Sequence, residues 1–450
     1  MLALEESMTT PRRSLIASSK ADSCTIGRQE CGPSALLDDW LSATGNASGP
    51  ISSNQPAVQL PFQRWFKFKE AFSPQFIVDC AKSFKRKPRT CLDPFGGSGT
   101  SALTAQFLGI KPTTIEVNPF LAELIEAKLS TYDLESLKRD YFHAISQSPK
   151  ALDSEAFPAT FIEPGVNDRW IFSRSTAKRI LEIRNNICSV DSKTNRMLLS
   201  VVLGSILVPN SNILVNGKGR RYRRNWKAQE KTPNQVDLAF RQAFHNAFSD
   251  ICHFGERPEK SFELHRGDSR QILKSLDPVD FAVLSPPYPN SFDYTDIYNV
   301  ELWMLGYLTT QDGNRALREE TLRSHVQIKR DFSKDTLNSK TLKKTYRKIK
   351  ALRSELWSSY IPEMICAYFE DMREILDGIK SRLNKGGKAF LAVGNSQYAG
   401  VEVDTETILK EIGLDLGFRT ASSKPIRSMR ASAQQGGREQ LTESLIILGK

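Results

Sequence analysis

The feature that most limits what this chain can fold into is a short strand-like run, Thr90–Asp93, that passes directly into Asp93-Pro94-Phe95-Gly96-Gly97-Ser98-Gly99-Thr100. The glycines of this turn permit positive φ and let peptide N–H groups approach a ligand that a side chain would hold off. Over residues 101–108 apolar side chains recur at helical spacing, and residues 113–117 read as a second strand with Glu116 near its end. A strand, a glycine turn, a helix and a second strand open a doubly wound α/β sheet, whose ligands sit beyond the carboxyl ends of the strands. A glycine turn taken alone also fits a dinucleotide site or a plain tight connection. No Lys-Ser/Thr follows these glycines, which disfavours nucleoside triphosphate hydrolysis.

The remaining chain divides around this unit. Residues 1–58 are rich in Ser, Thr, Ala, Gly and Pro without sustained periodicity and read as a flexible arm. Residues 59–130 form the first half of the sheet domain, with a helix over 73–84. Residues 131–261 are helical in pattern, carry a basic segment and show no strand ladder, so they read as an insertion. Strands resume at 262–264 and 281–284 within the segment 262–308. Residues 309–358 form a second insertion, dense in Lys and Arg. Residues 359–450 complete the sheet domain, with a helix at 372–383, a Lys385-Gly386-Gly387 turn, a strand at 389–393, a helix near 405–412 and a last strand at 444–448.

The 450 residues carry a net charge of +11 with a pI near 9.2, a balance suited to a polyanionic partner. The longest apolar candidate, residues 198–208, is shorter than the roughly 18 to 20 residues a spanning helix needs. The N-terminus lacks a secretory apolar core, so an intracellular protein is expected, cytoplasmic and nucleoid-associated if its partner is DNA. The seven cysteines include no CxxC pair and read as reduced, buried thiols, and no metal site is expected.

Ser285-Pro286-Pro287-Tyr288 follows the strand 281–284 directly. Its prolines remove two N–H donors, so the turn presents carbonyls and a hydroxyl to whatever lies above the sheet. An amino group conjugated to a base ring is a poor nucleophile. Acceptors on its hydrogens, here the Ser285 hydroxyl and the Pro286 carbonyl, favour the pyramidal form whose lone pair can attack a methyl group. Tyr288 is placed to stack on a base flipped from its helix. Glu116 sits where a carboxylate accepts from ribose hydroxyls, and Asp268, after a third strand, is suited to receive an adenine amino group.

Together, the glycine turn and Ser-Pro-Pro-Tyr resemble the site-specific DNA amino-methyltransferases, which make N4-methylcytosine or N6-methyladenine. The resemblance implies a Rossmann-like class I methyltransferase sheet with largely helical insertions, and S-adenosylmethionine as cofactor. It assigns Asp93, Phe95, Gly97, Gly99 and Thr100 to the methionine end, Glu116 with Asn118 to the ribose, and Asp268 with Ser269 to the adenine. Phe72 and Ser73, in the segment Phe68-Lys69-Glu70-Ala71-Phe72-Ser73-Pro74, would pack against the methionine. It extends through Asp293-Tyr294, Glu301-Leu302-Trp303 and Val393-Gly394-Asn395-Ser396. Serine at the first catalytic position is associated in that family with cytosine N4, and Asp or Asn with adenine. No cysteine follows a proline, which argues against C5-cytosine methylation through a thiolate. Double-stranded DNA is the implied partner, together with a cognate restriction endonuclease or another defence component. An RNA base methyltransferase and a catalytically silent DNA-binding protein are the alternatives.

The run from Gly217 to Lys227 places Lys218, Arg220, Arg221, Arg223 and Arg224 beside Tyr222 and Trp226. Within an insertion of a base-modifying enzyme it reads as a phosphate-contacting segment, and the basic stretch 340–353 as an exposed helix.

Overall fold

In the computed structural model α1 (Pro33–Ser42), a short 3-10 turn (Gln63–Trp65) and α2 (Pro74–Lys82) precede the first strand of the sheet. The structure describes residues 33–43, 57–68, 71–147, 157–216, 219–430 and 440–450. The cofactor half contains β1 (Thr90–Asp93), α3 (Thr100–Phe107), β2 (Lys111–Glu116) and α4 (Pro119–Leu129). The first insertion contributes α5 (Leu134–Ile145), α6 (Arg174–Cys188), α7 (Lys193–Leu207), β3 (Ile213–Asn216), β4 (Gly219–Tyr222) and α8 (Pro233–Phe254). Next come β5 (Glu263–Arg266), α9 (Ser269–Ile272), β6 (Val279–Leu284), α10 (Tyr294–Ile297) and α11 (Asn299–Met304). The second insertion holds α12 (Gln311–Glu320) and α13 (Lys340–Ala351). The chain ends with α14 (Ile361–Arg382), β7 (Leu383–Gly394), β8 (Ser396–Tyr398), β9 (Val401–Val403), α15 (Thr405–Asp415), β10 (Thr420–Arg430) and β11 (Gln440–Gly449).

Seven strands form one sheet in the order β10-β11-β7-β6-β1-β2-β5. The pairs β7/β6, β6/β1, β1/β2 and β2/β5 are parallel, while β11 runs antiparallel to both β7 and β10. The α/β methyltransferase-type sheet expected from the motifs is present. Side chains alternate across it with the period of two that a strand imposes. Leu92, Ile115, Leu284, Leu391 and Ile446 face α14 and α15, whereas Cys91, Phe281, Val283 and Phe390 join a cluster with Phe76 and Ile77 of α2. Both faces are covered, so the central strands read as near-continuous apolar runs. Phe281 is fully buried, and truncating it to alanine would cost about 3–5 kcal/mol.

The structure departs from the sequence reading at several elements. The expected arm contains α1, whose Trp40 is buried and stacks on Phe107 of α3 at 4.3 Å between ring centroids. Residues 1–32 and 44–56 lie outside the described residues. The first insertion does contain a strand ladder, the antiparallel hairpin β3–β4, in which the basic segment supplies β4 and the apolar run before it supplies β3. Helix α14 begins eleven residues before the expected 372, and the expected glycine turn at 385–387 lies within β7. Strand β10 had no apolar signature, being a polar edge strand with a register shift at Pro425, where a missing N–H is tolerated. No helix among the described residues is long and apolar enough to cross a membrane.

Candidate active site

The strand-end motifs of this sheet open on one cavity of about 340 Å³. Asp93, Phe95, Gly97, Ser98 and Thr100 line it from the glycine turn, Glu116 and Asn118 from the end of β2, and Asp268 and Ser269 from the turn after β5. Ser285, Pro286, Pro287 and Tyr288 line it from the end of β6, and Phe72 from the segment before α2. Ser73 and Gly99 do not line it. Ser73 precedes α2 as its buried first flanking residue, and Gly99 plays that part for α3 with φ +78°. Lys69 and Glu70 lie outside the described residues.

Local geometry shows why the glycine turn has its sequence. Gly97 has φ +53°, and a Cβ there would stand 3.0 Å from the Phe68 ring. Asp93 accepts from the Phe95 N–H at 2.9 Å and from the Ser101 hydroxyl. Glu116 accepts from the Gly97 N–H at 2.7 Å and the Asn118 N–H at 2.8 Å, so its carboxylate ties the turn to the neighbouring strand end. Burial pushes Asp93 up to about 6 and Glu116 up to about 7, opposed by these hydrogen bonds. Asn118 caps α4 through the Phe120 and Leu121 N–H groups. Asp268 caps α9 and pairs with Arg270 at 2.8 Å, while Arg270 also pairs with Asp371 of α14 at 2.9 Å.

Other residues of the site carry no local sequence signal. Lys128, buried in α4, donates to the Ser98 carbonyl at 2.7 Å and to Gln63 Oε1 at 3.3 Å, and Thr100 donates to the same Gln63 oxygen at 3.3 Å. Burial lowers Lys128 to about 7. The loop after α12 contributes Thr321, Leu322, Ser324 and His325 to the cavity wall. Arg330 donates to His325 Nε2 at 3.3 Å, and burial holds that imidazole down at about 4, hence neutral. Tyr288 donates to Glu443 of β11 at 2.6 Å. Each of these contacts joins residues distant in sequence, apart from His325 and Arg330, and periodicity carries no trace of them.

The five cations expected to meet phosphate have different fates. Lys218 lies outside the described residues. Arg220 pairs with Asp296 of α10 at 3.2 Å. The Arg223 guanidinium is committed inward, donating to the Ser211 and Val208 carbonyls at 3.0 Å each beyond the end of α7. For Arg223 this corrects the surface reading: its guanidinium is held by the Ser211 carbonyl and by the Val208 carbonyl, which also accepts from the Ser211 N–H at 3.2 Å and the Ser211 hydroxyl at 2.8 Å. Arg221 and Arg224 are exposed, with no carboxylate partner among the described residues. Through Asp296 the hairpin abuts the helix that carries Tyr294 and Thr295, both in the cavity wall.

No family model matches the chain. The Type II methyltransferase M.BsoBI of Geobacillus stearothermophilus is 25% identical over 458 residues, covering 89% of this chain and 88% of that protein. M.AvaI of a Nostoc species, another Type II methyltransferase, is 25% identical over 461 residues, covering 92% and 91%. M.MjaII of Methanocaldococcus jannaschii, also a Type II methyltransferase, is 30% identical over 93 residues, which are 20% of this chain and 18% of that protein. Among solved structures, the rRNA methyltransferase aviRa of Streptomyces viridochromogenes aligns over 94% of both chains at 8% identity with a TM-score of 0.27, too loosely to bear on fold or function. The recognition drawn from the two motifs is borne out by the curated relatives, which align along nearly the whole chain.

Proposed function

We propose that this chain is a DNA methyltransferase that uses S-adenosylmethionine to modify an exocyclic base amine, with cytosine N4 in a specific duplex sequence as its target. The observation that carries this reading is the convergence of the glycine turn, its carboxylates and the Ser285-Pro286-Pro287-Tyr288 turn on one cavity. The Type II methyltransferases aligned along nearly all of the chain support it, and they favour a role beside a restriction endonuclease.

The donor set fits the cofactor. Asp93, Glu116 and Asp268 are acceptors, matching the ammonium, ribose hydroxyls and adenine amine of S-adenosylmethionine, and the glycines leave the backbone open to close approach. When bound, this cofactor supplies an electrophilic sulfonium methyl. Asp93, Phe95, Gly97 and Thr100 would hold its methionine end with Phe72, Glu116 and Asn118 its ribose, and Asp268 and Ser269 its adenine. The Ser285 hydroxyl and the Pro286 carbonyl accept the two amine hydrogens, turning the nitrogen lone pair out of conjugation. The Tyr288 ring offers a stacking face for the flipped base. Arg221 and Arg224 would meet phosphates beside the cavity.

Serine rather than an acid or amide at position 285 favours cytosine over adenine. Mass spectrometry of nucleosides from cells expressing the wild-type chain, beside a Ser285→Ala and Tyr288→Ala double variant, tests the proposal. N4-methylcytosine only with the wild type is the expected result. N6-methyladenine would keep the chemistry and change the base, and a purified protein that methylates RNA in preference to duplex DNA would overturn the DNA assignment.

A further inference from the structure

The cavity wall is acidic where the cofactor is held. Asp93, Glu116 and Asp268 line that end, and Arg427, the one lysine or arginine among the described lining residues, is taken up by Glu443 beside the catalytic turn. S-adenosylmethionine nevertheless carries a carboxylate as well as an ammonium on its methionine end. Directly behind the glycine turn lies a cation. Lys128 of α4 is fully buried, and its ammonium donates to the Ser98 carbonyl at 2.7 Å and to Gln63 Oε1 at 3.3 Å. Thr100 donates to the same Gln63 oxygen at 3.3 Å, and its hydroxyl lies 3.3 Å from that of Ser98. Ser98 and Thr100 both line the cavity, so Lys128 stands one peptide behind the wall. Both acceptors of the ammonium are neutral, and among the described residues it meets no carboxylate. A neutral donor would hold a carbonyl with a smaller desolvation penalty, and a buried ammonium without a counter-charge is strongly unfavourable. Gln63 is buried with its Nε2 unpartnered among the described residues, at a position where a glutamate would have given Lys128 an ion pair. The charge behind the turn is thus left uncancelled from within the fold.

We propose that Lys128 is the counter-charge for the carboxylate of S-adenosylmethionine, acting through the Ser98 peptide and the start of α3, a role that rests on the cofactor reading above. The two charges of the methionine end are then met from two sides of one turn. Asp93 in the wall takes the ammonium, and the field of Lys128 from behind the wall takes the carboxylate. The first peptide N–H groups of α3 have no partner within the helix and carry the positive end of its dipole, so they add to the same field. Charges separated by buried protein are screened far less than charges separated by water, which lets a cation act across one peptide. Burial holds Lys128 down at about 7 in the ligand-free chain, and a nearby anion favours its charged form. A charge so placed selects among cofactor-like molecules: it favours those that keep the whole amino acid and opposes those that keep only the amine. Lys128 touches neither cofactor nor base in this scheme and is a positioning residue.

Calorimetric binding of two ligands separates this role from a purely structural one. The first is S-adenosylhomocysteine, and the second is its decarboxylated counterpart, which keeps the amine, the thioether and the adenosine. The wild type should prefer the first. Lys128→Met should weaken S-adenosylhomocysteine on the order of tenfold and leave the affinity for the counterpart unchanged. Gln63→Glu sets a carboxylate against the ammonium without opening a cavity, so it should show the same selective loss with a thermal unfolding temperature equal to or above that of the wild type. This second variant keeps the test decisive should Lys128→Met fail to fold. Equal losses for both ligands in Lys128→Met would mean that the lysine only holds the turn in shape, and the counter-charge would be overturned. A wild-type affinity for S-adenosylhomocysteine in Gln63→Glu overturns it as well, and both results leave the cofactor reading intact. A wild-type chain that binds neither ligand overturns the cofactor reading and the counter-charge with it.

Discussion

The hairpin β3–β4 and the helix α13 are both basic, and the fold puts their cations to different uses. In α13, Leu342, Thr345 and Ile349 are buried against the α14 side of the sheet, while Lys343, Lys344, Arg347 and Lys348 point to solvent. The cations there form the wet face of an ordinary amphipathic helix. In the hairpin segment, Arg220 meets Asp296, Arg223 closes the end of α7, and Arg221 and Arg224 stay exposed beside the helix that lines the cavity. Charge density is similar in the two segments. The difference lies in what surrounds each segment, which composition cannot express: the hairpin meets the helix that lines the cavity through Asp296, whereas α13 packs on α14.

The sharpest way to break this contrast is to replace Arg221 and Arg224 together with alanine. Duplex affinity at moderate salt should fall roughly tenfold or more, and the slope of log affinity against log salt should decrease by about two, near 0.9 for each lost phosphate contact. An unchanged slope in a titration at several salt concentrations would remove the hairpin from the interface.

Changing pH should then separate hairpin from cofactor pocket, because arginines stay charged where Asp93 and Glu116 titrate. Burial raises these acids to about 6 and about 7 from ordinary values of 3.8 and 4.5. Their contribution to the stability of the ligand-free chain is therefore fully present below about 4 and is lost as pH rises through about 7. Cofactor that accepts from neither acid but donates to both should bind more tightly as pH rises from 5.5 to 8, by roughly 4-fold where Asp93 must ionise and roughly 30-fold where Glu116 must. Calorimetry at pH 5.5 to 8 should show that gain, while DNA affinity stays flat. Flat cofactor affinity would mean that neither carboxylate contacts the ligand.

Arg223→Ala sharpens the comparison from inside the hairpin. It should destabilise the chain by about 1–3 kcal/mol, because the Ser211 carbonyl loses the guanidinium and the Val208 carbonyl keeps only its Ser211 donors, and leave the salt slope unchanged. Thermal unfolding beside the salt titration distinguishes this from a phosphate contact. The smallest effect is expected from Lys343→Ala with Lys344→Ala: less than about twofold in duplex affinity and within about 0.5 kcal/mol in stability. A large loss of binding there would place α13 on the DNA and erase the distinction between the two segments.

Legibility followed the range of the interactions. The glycine turn, β1, β2, β6 and the Ser285-Pro286-Pro287-Tyr288 turn could be read because each is written in consecutive residues whose backbone preferences are local. The hairpin β3–β4 was missed because its strands are only four residues long, an apolar Ile-Leu-Val-Asn and a Gly-Arg-Arg-Tyr, and neither shows an alternation of apolar and polar residues. Strand β10 was missed because an edge strand can remain polar. Trp40 gave its helix little prominence within a Ser- and Gly-rich arm, although burial against Phe107 is what anchors it.

By itself the sequence determined a parallel α/β sheet with a glycine turn and an acceptor-rich turn at its strand ends, since strand period, positive φ at glycine and the missing N–H of proline act within a few residues. Only the tertiary structure decided that Glu443 stands behind Tyr288, that Lys128 and Gln63 hold the glycine turn from below, and that Arg223 turns inward while Arg221 and Arg224 do not. Those choices depend on which buried charge finds a partner once distant segments pack, and desolvation makes each such pairing strong only in the assembled core.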